Sequence, residues 1–166
     1  MRYIFILLLC YSFLPISNNK PIHKSEESYF HLITPVSAMK HIVEWNSLIY
    51  AIIDVESDFN DSAVNYSENA VGCLQIRPIM VNDINRILEL EGSEVRFTLS
   101  DRYNRLKSIQ MFNIWCEWYD LLYDYEKAAK CWNGGPNGYT YQETEKYWNN
   151  VNIKLEEIHE GFEFKV

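Results

Sequence analysis

Apolar residues in this chain recur at three- and four-residue steps far more often than they alternate. From Pro35, the positions Met39, Ile42, Val43, Leu48, Ile49, Ile52, Ile53 and Val55 mark one long helix ending near Glu56, and the density of apolar residues near that end predicts burial there. Ser57-Asp58-Phe59-Asn60-Asp61-Ser62 breaks it, and 58–76 reads as an irregular loop. Pro78 opens a second helix with Ile79, Ile84, Ile87, Leu88 and Leu90 on one side and Gly92 past its end. Ser100 or Asp101 is expected to cap a third, through Leu106, Ile109, Phe112, Ile114 and Trp115 towards Leu122. A short fourth from Tyr125 to Trp132 stops at Gly134-Gly135-Pro136, and a fifth from Thr140 or Thr144 carries Tyr147, Trp148, Val151, Ile153, Leu155 and Ile158. No stretch sustains the two-residue alternation of a strand, so the fold class is all-α, with functional loops between helices.

The first residues follow another logic. Arg2 precedes an almost wholly apolar run from Ile4 to Leu14, then the polar Ser17-Asn18-Asn19-Lys20. That run is shorter than the roughly 18 residues a spanning helix needs, and it reads as a secretory signal over residues 1–17. Residues 18–34 read as a leader and 35–166 as the domain. Pro15-Ile16-Ser17 writes the cleavage site poorly. Cys10 follows Leu9, where a lipoprotein signal normally has a small residue, so a lipid anchor at Cys10 is the weaker reading. The expected location is exported, periplasmic or associated with the cell wall.

Composition narrows the chemistry. The 166 residues are 48% hydrophobic and 23% charged, which suits one domain. With 15 Lys plus Arg against 23 Asp plus Glu, the net charge of −8 leaves no diffuse basic surface for a phosphate backbone, and nucleic acid is excluded as a main partner. Cysteines 10, 73, 116 and 131 form no C-x-x-C and the histidines no H-E-x-x-H, so a metal-centred function is not expected. Export would leave Cys73, Cys116 and Cys131, an odd number, with at most one intrachain disulfide among them.

No nucleophile elbow, P-loop or dinucleotide fingerprint is present, which leaves carboxylates. Glu56 stands apart because it follows Ile52-Ile53 and Val55 at the point where the most apolar helix meets a polar loop. Partial burial disfavours the charged form and raises the pKa, as a general acid working near neutrality requires. Asp54 and Asp58 are near enough in sequence to add like-charge repulsion. Two further stretches stand out. Gly72-Cys73-Leu74-Gln75-Ile76 sets an amide among small and apolar residues. Cys131-Trp132-Asn133-Gly134-Gly135-Pro136 sets a ring and an amide at a helix end, residue types that stack on a sugar face and bond its hydroxyls and acetamide.

In order and spacing, Leu48 to Asn60, Ala63-Val64, Gly72 to Pro78, Ala128 to Pro136 and Thr144 to Val151 resemble the soluble lytic transglycosylase family, over roughly residues 45–152. The resemblance implies a lysozyme-like helical domain, of the kind shared with goose-type lysozymes, around a substrate cleft. It puts Glu56 in the place of the family's single catalytic acid and Ser57 in that of its companion. Gln75 and the backbone at Leu74 match the loop lining the sugar cleft, Trp132 stands for the usual Tyr, Asn133 matches the Asn, and Tyr147 matches a tyrosine facing the acid. Asn65-Tyr66 stands where the family commonly has Ser followed by Pro, so Asn65 is expected to supply an amide there. The implied substrate is the glycan of peptidoglycan, and the implied reaction is non-hydrolytic cleavage between N-acetylmuramic acid (MurNAc) and N-acetylglucosamine (GlcNAc), without a cofactor, leaving an anhydro-muramic end. A monomer is expected, with a protein partner in a wall-spanning apparatus as a further expectation. Two rivals remain: a hydrolytic lysozyme of the same fold using Glu68 or Glu143 as second carboxylate, and a non-catalytic wall-binding assembly protein.

Overall fold

A computed structural model describes residues 35–163; the expected export signal over 1–17, the expected leader over 18–34 and Cys10 lie outside the described residues. The helices are α1 (Pro35–Ser57), α2 (Pro78–Leu90), α3 (Arg105–Trp118), α4 (Tyr125–Gly134) and α5 (Glu145–Glu163). Between α1 and α2 the chain forms an antiparallel hairpin of β1 (Val64–Asn65) and β2 (Ala70–Val71), with Val64 opposite Val71 and Asn65 opposite Ala70. The all-α class therefore holds, while the hairpin corrects the irregular loop expected over 58–76. Two-residue strands are too short to show a period, and this pair is held by its own cross-links, with Gly72 N–H donating to the Ala63 carbonyl and Val71 bridging Ile76.

Helix α1 supplies the centre of the core. Leu48, Ile49, Ala51, Ile52 and Ile53 are buried, and Trp45 starts the stripe. Met39, Ile42 and Val43 share the apolar repeat but stay exposed. The neighbours that bury Leu48 to Ile53 leave these three positions uncovered. In α2 the buried stripe is Val81, Ile84, Ile87 and Leu88, and Ile79 and Leu90 are exposed. The 100° step per residue puts both well over 90° from Ile84, so Val81 completes the face instead.

The helix starts are more elaborate than expected. Thr98 and Asp101 form a capping box on a short 3-10 turn (Leu99–Tyr103), and α3 proper is capped by Asn104, whose Oδ1 accepts from Lys107 N–H. This corrects the expected cap at Ser100 or Asp101. Helix α3 ends at Trp118, before Asp120 and Tyr123 take positive φ, and Leu106 on its first turn is exposed. Asp124 caps α4 in the same way as Asn104 caps α3. Helix α5 starts at Glu145, after two 3-10 turns (Gly138–Thr140 and Gln142–Thr144) stitched by Thr144 Oγ1 donating to the Gly138 and Tyr141 carbonyls.

Cys73, Cys116 and Cys131 are buried and free, serving as small apolar residues of the core without a disulfide. Among the described residues no helix is long and apolar enough to cross a membrane. The hairpin is fastened by a buried guanidinium: Arg102 donates to the carbonyls of Leu99, Asn69 and Ile76, the partners that such a group needs when it leaves water. Gly72 lies directly against this tie, with φ +80 and no room for a Cβ beside the Arg102 carbonyl. Gly92, with φ +73, faces open space. In urea denaturation Gly92→Ala is expected to cost about 1–2 kcal/mol, the left-handed backbone penalty alone. Gly72→Ala is expected to cost about 3 kcal/mol or more, because overlap is added to the same penalty. Equal losses would remove the steric role of Gly72.

Candidate active site

The last turn of α1 places Glu56 one residue from the helix end, just after the fully buried Ile52 and Ile53. The helix stops because Asp58 and Phe59 enter the left-handed region, at φ 51 and 59, and the Asp58 N–H closes the last turn on the Asp54 carbonyl at 2.8 Å. Ser57 then ties the helix end to the loop before α2. Its Oγ donates to the Cys73 carbonyl at 2.9 Å and to the Ile53 carbonyl at 3.2 Å. Ser57, the expected companion of the acid, uses its hydroxyl to fix the Gly72–Ile76 loop beside Glu56, and it is not part of the cavity lining.

Glu56 opens into a cavity of about 250 Å³ lined also by Asn65, Glu68, Gln75, Arg77, Met80, Trp132 and Asn133. From α5, the Tyr147 hydroxyl donates to Glu56 Oε1 at 2.7 Å. Burial disfavours the carboxylate and raises the Glu56 pKa from 4.5 to about 7. The Tyr147 hydrogen bond pulls the other way, Glu68 adds like-charge repulsion, and Arg77 offsets part of it. Burial, and then the neighbouring Glu56, push the Tyr147 phenol well above its usual value, so it stays a donor. The like-charge neighbour is therefore Glu68, across the cavity in the hairpin turn. Asp54, expected in that role with Asp58, is paired with Lys154 at 3.5 Å.

The hairpin and the loop supply amides. Asn65 Oδ1 accepts from the N–H and hydroxyl of Ser67, which leaves its Nδ2 uncommitted. Gln75 sits at φ 46 and donates through Nε2 to the Gly72 carbonyl at 2.9 Å and the Ala63 carbonyl at 3.4 Å, leaving Oε1 as its spare group. Asn133 lies exposed in the last turn of α4.

Two of the expected sugar contacts are also engaged within the protein. Trp132 is only 6% exposed; it packs edge-on against Phe112 and Trp115, and its Nε1 donates to the Leu74 carbonyl at 3.3 Å. The ring thus lines the cavity and braces α4 against the loop. Leu74 is fully buried and outside the lining, its carbonyl engaged by that indole. A third set of residues, Arg77, Ile79 and Met80, lines the cavity without having been singled out. Pro78 was the available sign, since residues flanking the first position of α2 must abut the loop that precedes it. Glu143 does not line the cavity, whereas Glu68 does. Among the described residues no three His, Cys, Asp or Glu side chains are grouped to hold a metal ion.

What the site can do chemically is donate a proton near neutral pH, through a carboxyl held by a phenol and surrounded by amides. Compared with known proteins, residues 36–153 match the model of the family described as the transglycosylase SLT domain, whose members are in general peptidoglycan-cleaving transglycosylases. No curated protein and no solved structure matches the chain. The match covers well over half of the sequence and includes the helix end at Glu56, the hairpin, the Gln75 loop, α4 and Tyr147, and on that footing the chain belongs to the SLT transglycosylase family.

Proposed function

We propose that this protein is a lytic transglycosylase that cleaves the β-1,4 bond between MurNAc and GlcNAc with Glu56 as its single general acid and base. The observation that carries the reading is the Glu56–Tyr147 pair in a cavity lined with amides, because it supplies one carboxyl that keeps its proton near neutrality. Since Tyr147 donates to Oε1, the transferable proton belongs on Oε2. Glu56 gives that proton to the glycosidic oxygen as the bond to the muramic anomeric carbon breaks, and the GlcNAc side leaves with its hydroxyl. The muramic acetamide stabilises the positive charge on the anomeric carbon. Glu56, now a carboxylate, takes the proton of the muramic 6-hydroxyl as that oxygen closes on the same carbon. Glu56 ends as it began, no water enters, and the product carries a 1,6-anhydro end.

Asn65, Gln75 and Asn133 would hold the acetamide and hydroxyls, and such fixed placement lowers a barrier by several kcal/mol. The apolar run from Ile4 to Leu14 fits export to the wall where this polymer lies. A second reading, hydrolysis by a muramidase, is favoured by one feature: Glu68 lines the same cavity and could hold a water as general base. Its pairing with Arg77 at 3.7 Å and its exposure of 57% favour a solvated counter-charge over a base.

Mass spectrometry of digested peptidoglycan separates the two. The expected muropeptides are lighter by one water than the hydrolytic products and have no reducing end, and Glu56→Gln lowers kcat by about 1,000-fold while still binding glycan. Products with reducing ends would overturn the proposal in favour of hydrolysis.

The pH profile gives a second check. Glu56 acts protonated, so kcat/KM should fall as pH rises through about 7. The Tyr147 hydrogen bond favours the carboxylate, so in Tyr147→Phe the alkaline limb moves to higher pH while kcat drops about tenfold. A limb that stays in place or moves down would remove Tyr147 from contact with the acid.

A further inference from the structure

The other arginines among the described residues have their guanidinium groups engaged. Arg86 donates to Asp83, Arg96 to the carbonyls of Ser93 and Val95, Arg102 to three carbonyls, and Arg105 to Asp61 and the Phe59 carbonyl. Arg77 differs. Among the described residues its side chain makes no hydrogen bond and has one ion pair, with Glu68 at 3.7 Å, the two side chains being 45% and 57% exposed. An exposed pair at that separation is screened by water and readily exchanged.

The position of Arg77 is nevertheless fixed. It precedes Pro78, which holds its backbone extended at φ −87 and ψ 155, and its carbonyl accepts from the Met80 N–H at 3.0 Å. A rigid backbone therefore presents an unspent guanidinium fork to the cavity that holds Glu56. Structural arginines of this fold look like Arg102. Arg77 looks like a residue waiting for a partner.

The chemistry of the substrate narrows what that partner is. The alternating amino sugars of peptidoglycan are uncharged along the chain once the muramic lactyl group is in amide linkage. The negative charge is carried by the carboxylates of the stem peptides attached there. A planar fork of donors gains little from a neutral sugar hydroxyl that the nearby amides do not already offer, whereas a carboxylate accepts two parallel, charge-assisted hydrogen bonds. We infer that Arg77 recognises a free carboxylate of the stem peptide, so that the enzyme selects strands whose stem peptides are charged. Glu68 holds the guanidinium in the cavity of the free enzyme and yields it to the incoming carboxylate. The inference rests on the peptidoglycan reading given above.

The test compares native glycan strands with strands whose stem-peptide carboxylates have been converted to amides, a change that keeps shape and removes charge. Initial rates are taken at a pH one unit or more below the Glu56 midpoint, so that titration of the acid does not enter. The wild type is expected to show kcat/KM about tenfold higher on native strands, carried by KM. In Arg77→Gln the ratio between the two substrates falls to about one, and in Arg77→Lys, which keeps the charge without the fork, it lies between. Being a ratio, it is insensitive to any general loss of folded protein. A wild-type ratio of one, or a ratio kept in Arg77→Gln, overturns the role of Arg77 while leaving the proposed reaction intact. Cleavage of neither substrate by the wild type defeats the reaction itself, and this inference with it.

Discussion

A carboxyl group that is to hold its proton near neutrality has to be kept from water, and in this fold the end of α1 keeps Glu56 from it. Burial is the largest influence on its pKa, ahead of the Tyr147 hydrogen bond and of the charges on Glu68 and Arg77. The sequence achieves this by continuing the apolar stripe of α1, through Leu48, Ile49, Ile52 and Ile53, almost to the helix terminus. The protein bears the cost of a half-buried acid there, and the proposed reaction would use that acid as its proton donor.

Three ties hold the cavity wall in register with the acid. Ser57 binds the helix end to the Cys73 carbonyl, Trp132 binds α4 to the Leu74 carbonyl, and Arg102 binds the hairpin and the Ile76 carbonyl to the turn before α3. All three reach the same stretch between the hairpin and α2, which carries Gln75 and Arg77. The chemistry and its support are thus divided between neighbours in sequence. Glu56, Gln75 and Asn133 line the cavity, and Ser57, Leu74 and Trp132, each within a residue of one of them, brace it, Trp132 while lining it as well.

That division explains what could be read from the chain alone. Helices α1, α2 and α4 were legible because periodicity, Pro78 and the Gly134-Gly135-Pro136 stop act locally. Glu56 and Tyr147 were legible as a pair only through the family resemblance, since they are 91 residues apart in sequence and nothing local couples them. The hairpin escaped because its strands are two residues long, and its stability comes from Gly72, Ile76 and Arg102. The bracing bonds of Ser57, the Leu74 carbonyl and Trp132 were not legible, because motif position does not reveal which groups a residue bonds within the fold. Arg77 and Glu68 act across the cavity, and charge pairing between a hairpin turn and a helix start leaves no pattern in one dimension.

The account stands or falls on the protonation of one side chain, and carbon-detected NMR titration of the Glu56 carboxyl, assigned by comparison with Glu56→Gln, reads it directly. A midpoint near 7, against the 4.5 of an unperturbed glutamate, is the predicted result. A midpoint close to 4.5 would mean that α1 does not withhold this group from water, and would contradict its role as a general acid.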